Sequence, residues 1–295
     1  MEFHQKITSY HRASIEHRLV KEMRLLDKYV PDPRGMILLD IGIGMGPYVD
    51  SYLARDFSVI GIDNSKQGIS DIRINYEGSL SNSHLHLLSG DAKNLPFQDC
   101  SIDVIFMCEV LEHFNDPSAA LQEAQRVLKP DGLLFIDIPW WHEVYRPISA
   151  CALRQLQSFK SKRTPPLLLQ PFFSYHDGKV SQRPLGKTFL KLIQLFPTFR
   201  GVTPEEFLES YVNGKYPEGN MHLHFYTPRE WRKLVETANF NVRTTTGAWL
   251  TPPPFNRLAI FNRISLKVER YLPDTVLSGI GQKLIIAAVK PGETL

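Results

Sequence analysis

Residues 36–48 read Met-Ile-Leu-Leu-Asp-Ile-Gly-Ile-Gly-Met-Gly-Pro-Tyr, and few folds accommodate such a run. The apolar stretch from Met36 to Ile41 predicts a buried strand with Asp40 near its end. Glycines then fall at alternate positions, Gly42, Gly44 and Gly46. Glycine lets a backbone take positive φ and pass close to a ligand. Pro47 suits the first turn of a following helix, because its φ is already helical and its missing N–H would be unpaired there anyway. Strand, glycine turn and helix make a ligand cradle, to which the helix start adds free N–H groups.

Spacing decides what such a cradle holds. A dinucleotide turn requires Gly-x-Gly-x-x-Gly, with the pyrophosphate at the helix start. Counted from Gly42 or Gly44, the third glycine is replaced by Pro47 or Val49. The pattern is Asp-x-Gly-x-Gly-x-Gly, which resembles motif I of the class I S-adenosylmethionine-dependent methyltransferases.

The next segments follow in a strand–helix rhythm. Ser58 to Ile62 predict a second strand ending at Asp63, an acid placed to accept hydrogen bonds from ribose hydroxyls, with Asn64 beside it near an adenine. A helix is expected from Ser65 to Tyr76 and a third strand from Leu85 to Ser89. Gly90-Asp91-Ala92, Leu95-Pro96-Phe97, Asp99 and Asp103-Val104-Ile105 then resemble the stretch through motifs II and IV in the type 11 branch of that family. The resemblance implies that Asp91 accepts from the adenine amine, with Ala92 beside it. A carboxylate suits this task because it only accepts and the amine only donates.

Cys108-Glu109-Val110-Leu111-Glu112-His113 resembles the family's Glu-x-Leu-Glu-His segment, which implies that Cys108 and Glu109 line the methionine end of the cofactor. Nothing nearby marks Cys108 as a nucleophile. Glu112 and His113 diverge on a helix, so no metal site is expected there. Asp116 and Pro117 cap the next helix, whose apolar face is Leu121, Ala124 and Leu128. Arg126 to Leu134 again resembles the family, and Leu133 to Ile138 predict a fifth strand. Strands alternating with helices over 36–138 argue for a parallel sheet covered on both faces.

Before this rhythm, residues 5–30 predict an amphipathic helix. Ile15, Leu19, Met23, Leu26 and Val30 share a face, and Arg12, Arg18, Lys21 and Arg24 lie largely off it. It reads either as a helix with a solvated polar face or as a cap over the cofactor, with Tyr10 and His11 near the ligand. After Pro139 the pattern breaks at Trp140-Trp141-His142-Glu143. Residues 140–221 read as a packed surface insertion or as a lid and acceptor pocket, because a long insertion at the carboxyl end of a strand lies where open α/β sheets bind ligands.

Order resumes at His222-Leu223-His224-Phe225-Tyr226, where Thr227-Pro228-Arg229-Glu230 is a capping box. A strand from Val242 to Trp249, a helix near Leu258–Tyr271 and a last strand from Lys283 to Val289 complete the pattern. The resemblance covers roughly residues 36–139 and 222–290, with Ile43 and Met45 where relatives more often carry cysteine and threonine.

The expectation is a Rossmann-like, doubly wound, seven-stranded α/β sheet whose strands six and seven form a terminal hairpin. Residues 1–35 would be a helical cap, 36–139 and 222–295 the S-adenosylmethionine-binding domain, and 140–221 a lid. The implied activity is methyl transfer from S-adenosylmethionine to an O, N or C atom of a small-molecule, sugar or lipid-linked acceptor, leaving S-adenosylhomocysteine. His142, His113, His222 and His224 are candidates for a base, His142 first because it follows strand five. The rivals are an NAD(P)-dependent oxidoreductase, an aminopropyl transferase and a non-catalytic partner protein on the same fold.

Composition bounds the remainder. The chain of 295 residues is 43% hydrophobic and 22% charged, as in globular proteins, and its net charge of +3 is too small to argue for nucleic acid. Cys100, Cys108 and Cys151 form no Cys-x-x-Cys pair, so neither a disulfide framework nor zinc is expected. No segment approaches the ~20 apolar residues of a membrane span, and the N-terminus has no apolar run of signal-peptide type. A soluble cytoplasmic protein is therefore expected, with peripheral membrane contact left open.

Overall fold

A computed structural model describes residues 9–76, 84–114, 116–139, 173–176, 179–182, 226–248, 259–272, 274 and 283–292. The chain divides into two compact units, Met1–Trp141 with Tyr226–Leu295, and His142–Phe225. In the first unit α1 (Ser9–Tyr29) precedes β1 (Ile37–Ile41), α2 (Val49–Leu53), β2 (Ser58–Asp63), α3 (Lys66–Asn75) and β3 (Leu85–Ser89). Then come β4 (Ile102–Cys108), a 3₁₀ turn (Leu111–His113), α4 (Pro117–Val127) and β5 (Leu128–Pro139). The second unit contributes β6 (Phe173–His176) and β7 (Lys179–Gln182), and the first resumes with α5 (Pro228–Thr237), β8 (Asn241–Ala248), α6 (Ala259–Tyr271) and β9 (Lys283–Val289).

Seven strands form one sheet in the order β3-β2-β1-β4-β5-β9-β8. The pairings from β3 through β5 are parallel, and β9 runs antiparallel to both β5 and β8. This is the expected topology, with α6 interrupting the terminal hairpin. Because side chains alternate across a strand, the apolar runs feed two cores. On one face Leu39, Ile105, Leu134 and Ile286 pack with Leu121 and Ala124 of α4 and Trp231 and Val235 of α5. On the other, Leu38, Val104, Phe106, Phe135 and Ile285 pack with Leu26 of α1, Tyr52 of α2 and Ile72 of α3. The Phe106 and Phe135 rings stack there at 4.6 Å.

Local signals explain the boundaries. Asp116 accepts the Ser118 amide at 2.9 Å, and Thr227 and Glu230 form both bonds of the capping box. Arg126 donates to Glu123, Asp99 and the carbonyls of Leu95 and Phe97, which pins the loop before β4 onto α4.

Three expectations need correction. Pro47 does not open the helix: α2 starts at Val49, and the Val49 and Gly46 amides already bond the Gly46 and Ile43 carbonyls. The first turn is thus folded back on the glycine loop rather than presented as a row of free donors. Second, β5 begins at Leu128, with Lys129–Gly132 absorbed as an irregularity in its pairing with β4. Third, β6 and β7 pair antiparallel where no strands were expected, Phe173 opposite Gln182 and His176 opposite Lys179. The intervening Asp177-Gly178 is a favoured hairpin dipeptide.

Candidate functional site

The carboxyl ends of β1, β2 and β4 converge on the glycine loop, where β1 pairs with β2 on one side and β4 on the other. The loop leaves β1 with Gly42, Gly44 and Gly46 all at positive φ, 74°, 55° and 70°. The Gly42 amide donates to the Ile62 carbonyl at 2.7 Å, which holds the loop against β2. The glycines do different work. A Cβ on Gly42 would lie 2.2 Å from Val110 Cγ2, so this glycine is required by packing. Among the described residues, a Cβ on Gly44 would have a single neighbour within 4 Å, the Gly42 carbonyl at 3.8 Å. The space over Gly44 is therefore open, as a ligand cradle requires.

Asp63 closes the cradle. Its carboxylate accepts the Gly44 amide at 3.0 Å and the Ser65 amide at 2.8 Å, one on each oxygen. Each oxygen retains acceptor capacity for a ligand hydroxyl. Asn64 beside it is exposed. Asp91, also exposed, accepts the Lys93 amide at 2.9 Å with Lys93 Nζ 3.7 Å away. Ala92 turns its methyl into the core, so what it offers a ligand is backbone.

Behind the loop lies a group of buried charges that sequence reasoning missed. Arg18 of α1 donates to Asp137 of β5 at 3.0 Å and lies 3.5 Å from Glu109. Arg18 also sits over the Tyr48 ring at 5.9 Å. Lys283 of β9 pairs with Glu109, which adopts a positive φ of 55°. Cys108 Sγ donates to Glu22 Oε1 at 3.3 Å, so Cys108 is turned toward α1. Burial pushes Glu22, Asp40 and Asp137 above the usual carboxylate range. For Asp40 the charges of Glu22 and Asp63 add to that effect. Burial also raises the Cys108 thiol well above its ordinary value, which removes it as a nucleophile.

The polar face of α1 expected in solvent is thus partly inside: Arg18 and Lys21 are buried, while Arg24 is exposed. The signal was a carboxylate, Asp137, inside the apolar run Leu-Leu-Phe-Ile-Asp-Ile, which demands a cation from elsewhere. The apolar face stands as read, with Met23, Leu26 and Val30 buried. Arg12, Tyr10 and His11 carry side chains outside the described residues.

Of the candidate bases, His113 is described. It sits on the 3₁₀ turn after β4, its Nε2 3.8 Å from Glu112 Oε1. His142, His222 and His224 lie outside the described residues.

The donor set fits an adenosyl ligand: an open glycine loop, a carboxylate fixed beside it and a second carboxylate after β3. Comparison with known proteins agrees. A methyltransferase-domain family profile of the type 11 branch matches residues 39–136. An O-methyltransferase of Pyrenophora dematioidea is 32% identical over 151 residues, which is 45% of this chain and 56% of that protein. The chain thus spans about half the length of that curated relative. The YcgJ structure of Bacillus subtilis aligns with a TM-score of 0.51 at 16% identity, covering 92% of this chain and 99% of that one. Phosphoethanolamine N-methyltransferase 2 of Haemonchus contortus, solved with S-adenosyl-L-methionine, aligns with a TM-score of 0.51 at 13% identity, covering 92% and 52%. The matched profile lies on the glycine loop and the strands that flank it, and the sheet has the Rossmann-like fold of these methyltransferase structures.

Proposed function

We propose that this protein transfers a methyl group from S-adenosylmethionine to an acceptor atom, O, N or C, of a small molecule, sugar or lipid-linked compound. The observation that carries this reading is the Gly44–Asp63 unit with open space above Gly44. Similarity to a protein named as an O-methyltransferase favours oxygen as the acceptor atom. Gly42, Gly44 and Gly46 would cradle the cofactor, Asp63 would accept from its ribose, and Asn64, Asp91 and Ala92 would surround its adenine. Asp40, Cys108 and Glu109 lie on the methionine side.

When bound, the cofactor supplies an electrophilic sulfonium methyl. The protein's contribution is then mainly to hold acceptor and methyl in line. Buried Glu22, Asp40 and Asp137, together with half-buried Glu109, exceed Arg18 and Lys283 in number of ionisable sites, an environment suited to a cationic ligand. A hydroxyl acceptor needs its proton removed, a task for His113 or for His142, His222 or His224. Residues 140–221 serve in this reading as the acceptor-binding lid, and 1–35 as the cap.

Calorimetric titration with S-adenosylhomocysteine tests the reading, with NADH as the control. Ligand at about 100 times its dissociation constant stabilises a fold by ~2.7 kcal/mol, so a thermal shift provides a second readout. Binding of S-adenosylhomocysteine alone supports a methyltransferase. Binding of NADH alone would restore the oxidoreductase, and binding of neither would favour a non-catalytic partner.

A further inference from the structure

Helix α6 is packed with its polar side inward. Asn262, Ser265 and Glu269 are its buried positions. Glu269 is held there by His17 Nδ1 at 3.0 Å and by the Ser265 hydroxyl at 2.6 Å. Lys21 and Arg24 of α1 both reach Asp274, just beyond the helix, at 2.7 Å. These contacts fix the orientation of α6 and leave its other side outward. That side carries Ile260, Ile264, Val268 and Tyr271 at 66%, 53%, 41% and 87% exposure. Steps of four, four and three residues keep them in one stripe, about 16 Å long at the α-helical rise.

The charges beside this stripe have one sign. Arg263, Lys267 and Arg270 are exposed and none is ion-paired among the described residues. Glu269 is the sole acid of α6, and it faces inward. The outward surface is therefore apolar along its middle and cationic along its flank. A second copy of this chain would bring two cationic flanks together with no acid of α6 to meet them. An anionic lipid surface accepts both features: acyl boundary for the stripe and phosphates for the cations. Among the described residues no helix is long and apolar enough to cross a membrane, so the contact is with the surface.

We propose that α6 seats this protein on anionic membrane surfaces. Ile260, Ile264, Val268 and Tyr271 enter the headgroup boundary, and Arg263, Lys267 and Arg270 lie against lipid phosphates. The inference stands apart from the cofactor reading, because none of these residues lies at the glycine loop.

The test is co-sedimentation of the full chain with phosphatidylcholine vesicles, with and without phosphatidylserine. Three cations near the surface give on the order of a hundredfold preference for the anionic vesicles, and this preference falls as salt is raised. Lys267→Glu should lower binding by on the order of tenfold, and Ile264→Asp should abolish it. Both variants should keep the wild-type melting temperature and S-adenosylhomocysteine affinity. If Ile264→Asp lowers the melting temperature, Lys267→Glu decides. Wild-type protein left in the supernatant at low salt overturns the proposal, as does undiminished binding by Lys267→Glu. A dimer dissolved by Ile264→Asp, or capture by an acidic protein, with no vesicle binding in either case, also overturns it and reassigns the face.

Discussion

The Gly44 amide donates to the Asp63 carboxylate over 3.0 Å, so the middle of the glycine loop and the end of β2 form one hydrogen-bonded unit. Asp63→Ala removes the acceptor for Gly44 and Ser65 at once. We expect S-adenosylhomocysteine affinity to fall at least tenfold by calorimetry, while stability drops by only about 1–2 kcal/mol because the site is partly open to water. His142→Ala should leave that affinity intact and slow turnover. Equal loss of affinity in both variants would contradict this division of roles.

The glycines can be told apart by substitution. Gly42→Ala places a methyl 2.2 Å from Val110 Cγ2 at positive φ. It should destabilise the fold by about 2–4 kcal/mol from overpacking and backbone strain together. Adding Val110→Ala should recover part of that loss in a denaturant melt. Gly44→Ala, with open space around it, should cost only about 1–2 kcal/mol from its φ. Its effect should appear in calorimetry, as a methyl standing in the cradle.

Arg18 and Asp137 form a buried pair linking α1 to β5, 119 residues apart. Arg18→Met leaves Asp137 inside without its cation, and we expect a loss of about 3–5 kcal/mol in chemical denaturation. Asp137→Asn combined with Arg18→Met should cost less than the sum of the two single changes. Additive costs would show that the two side chains act independently.

Burial pushes Glu112 up to about 8. The folded state then keeps a proton that the unfolded chain has released. The associated stability is full below the ordinary carboxylate value and is lost as pH rises through about 8. Its slope is at most about 1.4 kcal/mol per pH unit for one such group. Glu112→Gln should flatten the melting temperature against pH between about 5 and 8, relative to wild type. An unchanged profile would show that Glu112 does not titrate in this window.

What could be read from the sequence, and what could not, follows from the range of the forces involved. β9 appears at the boundaries its residues predicted, because a strand buried on both faces is written as a continuous apolar run, and β3, an edge strand, is marked by buried Leu85 and Leu87 on one face. The α5 start was equally visible, since both partners of its capping box lie within four residues. The glycine loop was visible because its backbone conformation restricts residue type at each position. The charges on α1 were misread because periodicity records only apolar faces, and the partners of Arg18, His17 and Arg24 lie 119, 252 and 250 residues away. The brevity of α2 was hidden because Pro47 is equally at home in the turn that precedes a helix.

The place of β9 has a consequence for synthesis. It is the last strand in sequence, yet it lies between β5 and β8 in the sheet. Until residues 283–289 are made, β5 has no neighbour on that side and β8 has none in this sheet. At about 5–20 residues per second, the interval from β5 to β9 lasts on the order of ten seconds. Throughout it the nascent chain carries an open, strongly apolar strand edge, the kind that invites pairing with other chains. Shielding of that edge by a chaperone, rather than equilibrium stability, should therefore limit the yield of folded protein when expression is fast.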